Sequence, residues 1–198
     1  MTEEKNLYKS LPAFQEKLIE VFSNRPKNKL SSQGLITAAV LVPLFEKNGF
    51  PHILLTKRSD HVEHHRGEIS FPGGKVDPSD RDAEHCALRE TSEEVGIKIE
   101  DVQVLGELDD FYTVATKFLV SPFVGVIPYP YEFRTSEREI AGLLAVPLEV
   151  FFNPDRRSED IWIVTGEPIQ VISYKWNGHN IWGATARILK HMVELVQS

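Results

Sequence analysis

The chain has 198 residues, 41% of them hydrophobic and 26% charged, which suits a single soluble domain with a core of its own. A formal net charge of −7 argues against a broad electrostatic face for DNA or RNA. No window approaches the roughly 18 consecutive apolar residues of a membrane helix, and the polar start MTEEKNLYKS is unlike a secretory signal.

A cytoplasmic setting is therefore expected. The single cysteine, Cys86, excludes an internal disulfide and is consistent with a reducing compartment. It lies in an apolar helical stretch with Ala87 and Leu88 and is expected to pack.

Taken in chain order, Leu11, Phe14, Leu18, Val21 and Phe22 recur at helical spacing and predict an amphipathic helix over 8–23. SNRPKNKLSSQG follows as a linker. Residues 1–30 are thus expected to form an N-terminal helical extension, and 31–198 the main domain. LITAAVLVPLF and PHILLTKR flank EKNG, a turn signal, and predict a strand pair.

SFPGGKVDPSD is a loop by composition. Asp80 or Asp82 can cap the helix that follows, whose inward side carries Ala83, Ala87, Leu88, Thr91 and Val95. Gly96 stands where a helix C-terminal glycine belongs. VQVLGELDDF and LVSPFVGVIP are strand-like. Ser136 to Glu139 matches a capping box ahead of an apolar run. DIWIVTG and IQVISYKW suggest a hairpin around GEP, and Ala186, Leu189, Val193 and Val196 a terminal helix. Strands before and after a central helix, with helices at both ends, imply an α+β fold with a mixed sheet between helices.

The chemistry concentrates in RETSEEVGI, residues 89–97. On a helix, Glu90, Glu93 and Glu94 share one face, where like charges three and four apart repel by a few tenths of a kcal/mol per pair. A solvated acidic face is the ordinary outcome of such a run; a divalent cation site is the alternative that would offset the repulsion. FPGGK precedes this helix, and a double glycine lets backbone approach a ligand or cation closely.

Gly74 followed by LRETSEEVGI resembles the signature of the Nudix hydrolases, G-x5-E-x7-R-E-U-x-E-E-x-G-U, where U is bulky and apolar. Gly74, Arg89, Glu90, Glu93, Glu94, Gly96 and Ile97 match. Thr91 departs from the apolar position, and with Asp80 as the first acidic residue, 81–88 form a spacer one residue too long. Asp77 competes with Asp80 for that place. LLTKRSDHVEHHRGEISFPGG, residues 54–74, resembles a further signature of the coenzyme A pyrophosphatase branch, LLTxR(S/A)x3Rx3Gx3FPGG. That branch tends to carry the longer spacer. The motif's second arginine is Glu63 here, and Arg66 is a candidate substitute.

The resemblance implies the Nudix fold, an α/β/α sandwich, and a metal-dependent hydrolase of a diphosphate linked to another moiety. The leading expectation is hydrolysis of coenzyme A or acyl-coenzyme A to adenosine 3′,5′-bisphosphate and 4′-phosphopantetheine. The alternatives are another nucleoside diphosphate derivative, such as ADP-ribose, or a Nudix-fold binding module. Mg²⁺ or Mn²⁺ is the expected cofactor and a small nucleotide the expected partner, with no nucleic acid and no membrane. A homodimer is one option for the assembly.

The resemblance also implies residue roles. Glu90, Glu94, Glu93 and the Gly74 carbonyl are expected metal ligands, with Glu93 alternatively orienting water. Arg89 is expected to act catalytically by orienting the glutamates, its planar fork suiting bidentate carboxylate pairing. Arg58, Arg66 and Gly73 are expected at the substrate. Glu139 or Glu137 is expected to supply a late-loop base or ligand. HVEHH, with His61, His64 and His65, lacks the further Cys or His that a zinc site needs. Phe111, Tyr112 and Trp182 are candidates to stack on a base, although each is more often core.

Overall fold

The structure, a computed structural model, describes residues 4–59, 67–113, 116–136, 138–164 and 166–198. A 3-10 turn, Glu4–Lys9, leads into α1 (Leu11–Asn24). The Ser10 hydroxyl accepts from the Ala13 amide, and Pro12 stands in the first turn, where its missing N–H costs nothing. Phe14 and Leu18, four apart, are fully buried.

Strands β1 (Ile36–Lys47) and β2 (Phe50–Arg58) form the expected antiparallel pair, with Lys47 opposite Phe50. The two-residue turn, Asn48 and Gly49, has φ of 54° and 78°. Two positive values in succession match the right-handed twist of flanking strands. Short strands β3 (Ile69–Ser70) and β4 (Gly73–Lys75) precede the central helix α2 (Ala83–Val95). Then come β5 (Gln103–Glu107), β6 (Phe111–Thr113), β7 (Phe118–Val126) and β8 (Ile140–Pro147). A short helix α3 (Glu149–Phe152) follows, then β9 (Arg157–Val164), β10 (Glu167–Trp176), β11 (His179–Trp182) and the terminal helix α4 (Gly183–Gln197).

The main sheet runs β3-β2-β1-β7-β5, with β4 on β1, β6 on β7 and β8 on β2. It is mixed: β1 and β7 are parallel, and the other pairs antiparallel. Period-two alternation along β1 sends side chains to two different clusters. Ala39 and Leu41 pack with Cys86, Ala87 and Leu88 of α2. Ala38, Val42 and Leu44 join Phe14 and Leu18 of α1 and Leu189 and Met192 of α4. The sheet therefore lies between α2 on one face and α1 with α4 on the other. Full burial of each Leu or Phe contributes about 1.5–3 kcal/mol.

Two elements differ from the sequence reading. The Ser136–Glu139 box starts no long helix: Ile140–Pro147 is strand β8, paired with β2 from His52↔Pro147 onward. The Glu139 and Ile140 amides both donate to the Ser136 carbonyl, a tight turn delivering the chain to the sheet. Local capping chemistry loses there to seven cross-strand pairs with β2. Second, β9–β10–β11 make a separate three-stranded sheet, with Ile161 and Ile163 exposed on its edge strand.

Candidate active site

Strand β4, the loop after it and α2 build the site from residues 71–96. Gly73 and Gly74 lie against Val40 and Ala39 in the middle of β1. Gly73 has φ of 152°, and a Cβ on it would sit 2.4 Å from the Ala39 carbonyl oxygen. Only glycine lets this strand approach so closely. Gly74 is open for another reason: its missing Cβ would meet the Glu90 carboxylate carbon at 2.4 Å.

The two candidate caps separate cleanly. Asp82 is the N-cap, accepting from the His85 amide at 2.7 Å. The Asp80 side chain has no exposed surface and faces Arg89 instead. Arg89 Nε donates to Asp80 Oδ1 at 2.9 Å and Nη2 to Oδ2 at 3.0 Å, a bidentate fork. Hydrogen bonding from Arg89 holds the Asp80 carboxyl well below the usual carboxylate range, against the opposing effect of burial. Asp77 is exposed and takes the Ser79 amide and hydroxyl at 2.8 and 2.6 Å, so Arg89 pairs with Asp80 and not with Asp77.

Arg89 also reaches the helix glutamates. Nη2 lies 2.9 Å from Glu90 Oε1, and Nη1 donates to Glu93 Oε2 at 3.2 Å. Glu93, with a 60% exposed side chain, is held at the surface by Arg89. The hydroxyl of Thr91, at the signature's apolar position, is buried and donates to the Ala87 carbonyl at 2.7 Å. That back-bond lets a polar residue fill an apolar site.

Glu94 is 4% exposed. Its Oε2 accepts the Gly73 amide at 3.2 Å, and Oε1 stands 4.0 Å from Arg58 Nη1. Burial pushes its carboxyl up to about 7, the Gly73 amide and Arg58 pull it down, and the charges of Glu139 and Glu90 add to the rise. Glu90 is likewise pushed up by burial, with Arg89 opposing and Glu93 and Glu139 adding to the rise.

Arg134, Ser136 and Glu139 are pinned beside these residues through their backbones. The Ser136 amide donates to the Glu94 carbonyl and the Arg134 amide to the Val95 carbonyl, both at 3.0 Å. Gly96, at φ 75°, ends the helix in the left-handed conformation that makes this docking possible. The Ser59 amide closes the ring, donating to the Glu139 carbonyl at 2.7 Å. Arg58, Gly73, Gly74, Glu90, Glu94 and Glu139 are thus gathered around one place.

Arg66, Glu63, Glu137 and the histidines His61, His64 and His65 lie outside the described residues. The aromatic candidates are engaged elsewhere. Phe111 meets His191 edge-on at 5.5 Å, Trp182 tilts against Trp162 at 5.5 Å, and the Tyr112 carbonyl accepts from Arg187. Two open grooves, of about 410 and 350 Å³, flank Tyr8, Pro147 and Glu149, and none of the gathered residues lines them.

Among the described residues, no three His, Cys, Asp or Glu side chains already form a metal-holding group. The donor set nevertheless fits a hard cation. Glu90 and Glu94 are desolvated carboxyls facing a glycine strand with no side chain in the way, and oxygen is the only donor type they offer. The Gly74 carbonyl lies 3.7 Å from the Cys86 thiol, a long contact with a weak donor. His85 is the residue the sequence reading missed. Its signal would have been the choice of Asp82 as cap, which frees Asp80 to face the ring.

A family model described as the NUDIX domain matches residues 35–162. The chain is 39% identical over 162 residues to the uncharacterized Nudix hydrolase NudL of Yersinia enterocolitica, covering 80% of each chain. In fold it is similar to a MutT/nudix family protein from Enterococcus faecalis (TM-score 0.55, 16% identity, 99% of this chain and 74% of that one). It is also similar to a NUDIX hydrolase from Alicyclobacillus acidocaldarius (TM-score 0.54, 18% identity, 81% and 91%).

Proposed function

The chain belongs to the Nudix hydrolase family, and from that premise we propose that it hydrolyses the diphosphate of coenzyme A or acyl-coenzyme A with Mg²⁺ or Mn²⁺. The observation that carries this reading is the packing of Glu94 against both Gly73 and Arg58. It sets two residues of the upstream signature, Arg58 and Gly73, beside the Nudix helix.

Glu90 and Glu94 would hold the cation, with the Gly74 carbonyl beside them. When bound, the cation supplies positive charge against the phosphate oxygens and makes nearby water more acidic. The protein's own part is positioning and electrostatics. Arg58, 4.0 Å from Glu94, is placed to pair with a phosphate oxygen, and its Nε is buried without a partner among the described residues. Arg89 acts at one remove, fixing Glu90 and Glu93. Glu139, on a loop pinned to Glu94 and Ser59, is the candidate proton acceptor.

A second reading keeps the chemistry and changes the substrate. Glu63 stands where the coenzyme A signature has an arginine, and a reversed charge there disfavours the additional 3′-phosphate of coenzyme A. ADP-ribose lacks that phosphate. Mass spectrometry of products from coenzyme A, dephospho-coenzyme A and ADP-ribose separates the two. Adenosine 3′,5′-bisphosphate formed faster than AMP from ADP-ribose is the expected result. Preferential cleavage of ADP-ribose would overturn the coenzyme A assignment and retain the diphosphatase.

A further inference from the structure

We propose that His85 is a positioning residue for the carboxylate helix, locking Asp80 so that Arg89 presents Glu90 and Glu93 in one fixed arrangement. The role of those glutamates rests on the function proposed above; the locking itself rests on geometry alone.

The Asp80 side chain is fully buried and accepts four hydrogen bonds, two on each oxygen. Oδ1 takes Arg89 Nε at 2.9 Å and His85 Nδ1 at 3.0 Å. Oδ2 takes Arg89 Nη2 at 3.0 Å and the Asp77 amide at 2.8 Å. An ionised carboxylate offers about four lone-pair sites, and here each is filled. Remove one donor and Oδ1 is left half satisfied inside the protein, free to turn about its terminal bond.

Turning Asp80 breaks the planar match with the Arg89 fork. Arg89 has little slack, since its other contacts are Glu90, Glu93 and the Cys86 sulfur at 3.9 Å. His85 is thus three contacts from Glu90, through Asp80 and Arg89. It lies on the first turn of α2, while Glu90 lies further along the helix against Gly74. The pairing also fixes the imidazole tautomer: an acceptor-only carboxylate requires the proton on Nδ1, which leaves Nε2 free to face solvent from a 26% exposed side chain.

The test compares His85→Ala with His85→Asn, whose side-chain amide places an N–H where Nδ1 stood. The metal-free readout is solvent exchange of the Arg89 Nε–H by NMR. It should quicken about fivefold to tenfold in His85→Ala, the size of one lost hydrogen bond, and recover in His85→Asn. Mn²⁺ affinity, read by electron paramagnetic resonance without substrate, should weaken about threefold to tenfold in the alanine variant and recover with it. In turnover, kcat should fall with KM little changed. Wild-type exchange and Mn²⁺ affinity in His85→Ala would overturn the proposal, as would equal losses in both variants. A wild-type chain that binds no Mn²⁺ would remove the metal reading alone, and the exchange comparison would still decide for or against His85.

Discussion

Gly74 faces Glu90 so closely that a single methyl group would collide with the carboxylate, 2.4 Å from its carbon and 2.6 Å from each oxygen. The glycine is therefore space reserved for a side chain sixteen positions away on the helix face. Gly74→Ala should displace Glu90 and lower turnover about 10- to 100-fold, the usual consequence of moving a reacting group by an ångström. The thermal midpoint should move only a few degrees, because the Gly74 backbone is not in a left-handed conformation. Steady-state kinetics beside a thermal melt checks this, and near wild-type turnover would contradict it.

The two aspartates of the preceding loop should behave differently. Asp80→Asn removes the charge from a buried carboxylate that carries the Arg89 fork, and should destabilise by about 2 kcal/mol. Asp77→Asn alters an exposed turn and should stay within about 0.5 kcal/mol of the parent. Urea midpoints of the two variants measure the difference. Equal midpoints would mean that Asp80 is not the partner Arg89 depends on.

Acid should remove two separate contributions to stability, while the raised Glu94 and Glu90 carboxyls work in the opposite direction. Burial, with help from Arg25 and Lys190, holds His191 below its ordinary 6.5, outweighing Asp109 and Glu194. The unfolded chain then takes up a proton that the folded chain refuses. This stability is present above about pH 6.5 and lost as the pH falls through the lower folded value. Burial raises the Asp109 carboxyl, but the hydrogen bonds from Arg25 and Asn28 outweigh it, and Asp80 is lowered chiefly by Arg89. Both contribute stability above about pH 3.8 that is lost in stronger acid. Urea midpoints of the parent and His191→Gln should differ by an amount that changes between pH 7 and 5, which isolates His191 from the carboxyls. A difference that stays constant over that range would contradict the assignment.

Cys86 should resist thiol reagents. Its side chain has no exposed surface, and burial, reinforced by Asp80, pushes its thiol up to about 12. At pH 8 iodoacetamide should label the folded chain only as fast as it unfolds, with denaturant restoring the ordinary rate. Labelling at the rate of a free thiol would contradict this packing.

Much of the framework was legible in the sequence because local chemistry and tertiary packing agree there. EKNG supplies the turn between β1 and β2, Gly96 caps α2, and the apolar repeat from Ala186 marks α4. The sequence misleads where they disagree. Ser136 and Glu139 look like a helix start, yet pairing with β2 makes the following run a strand. Within the site, the shared face of Glu90 and Glu94 follows from helical spacing, while their expected roles and that of Arg89 come from the resemblance to the Nudix signature. The outward placement of Glu93 follows from neither, since it depends on the buried Asp80 holding Arg89 where it pairs with both Glu90 and Glu93. The choice of Asp80 over Asp77 and the ring joining Arg58, Ser59, Glu94 and Glu139 are equally non-local. They depend on β2, α2 and the 134–140 turn meeting across the sheet.

The most direct test of the central claim is hydrolysis of coenzyme A by the parent chain and Glu94→Gln, each with and without Mg²⁺ or Mn²⁺. Metal-dependent release of adenosine 3′,5′-bisphosphate by the parent is expected, with a loss of at least about 100-fold in the folded variant, which lacks a metal ligand. Parent-like turnover in Glu94→Gln, or turnover that persists in a chelator, would contradict it.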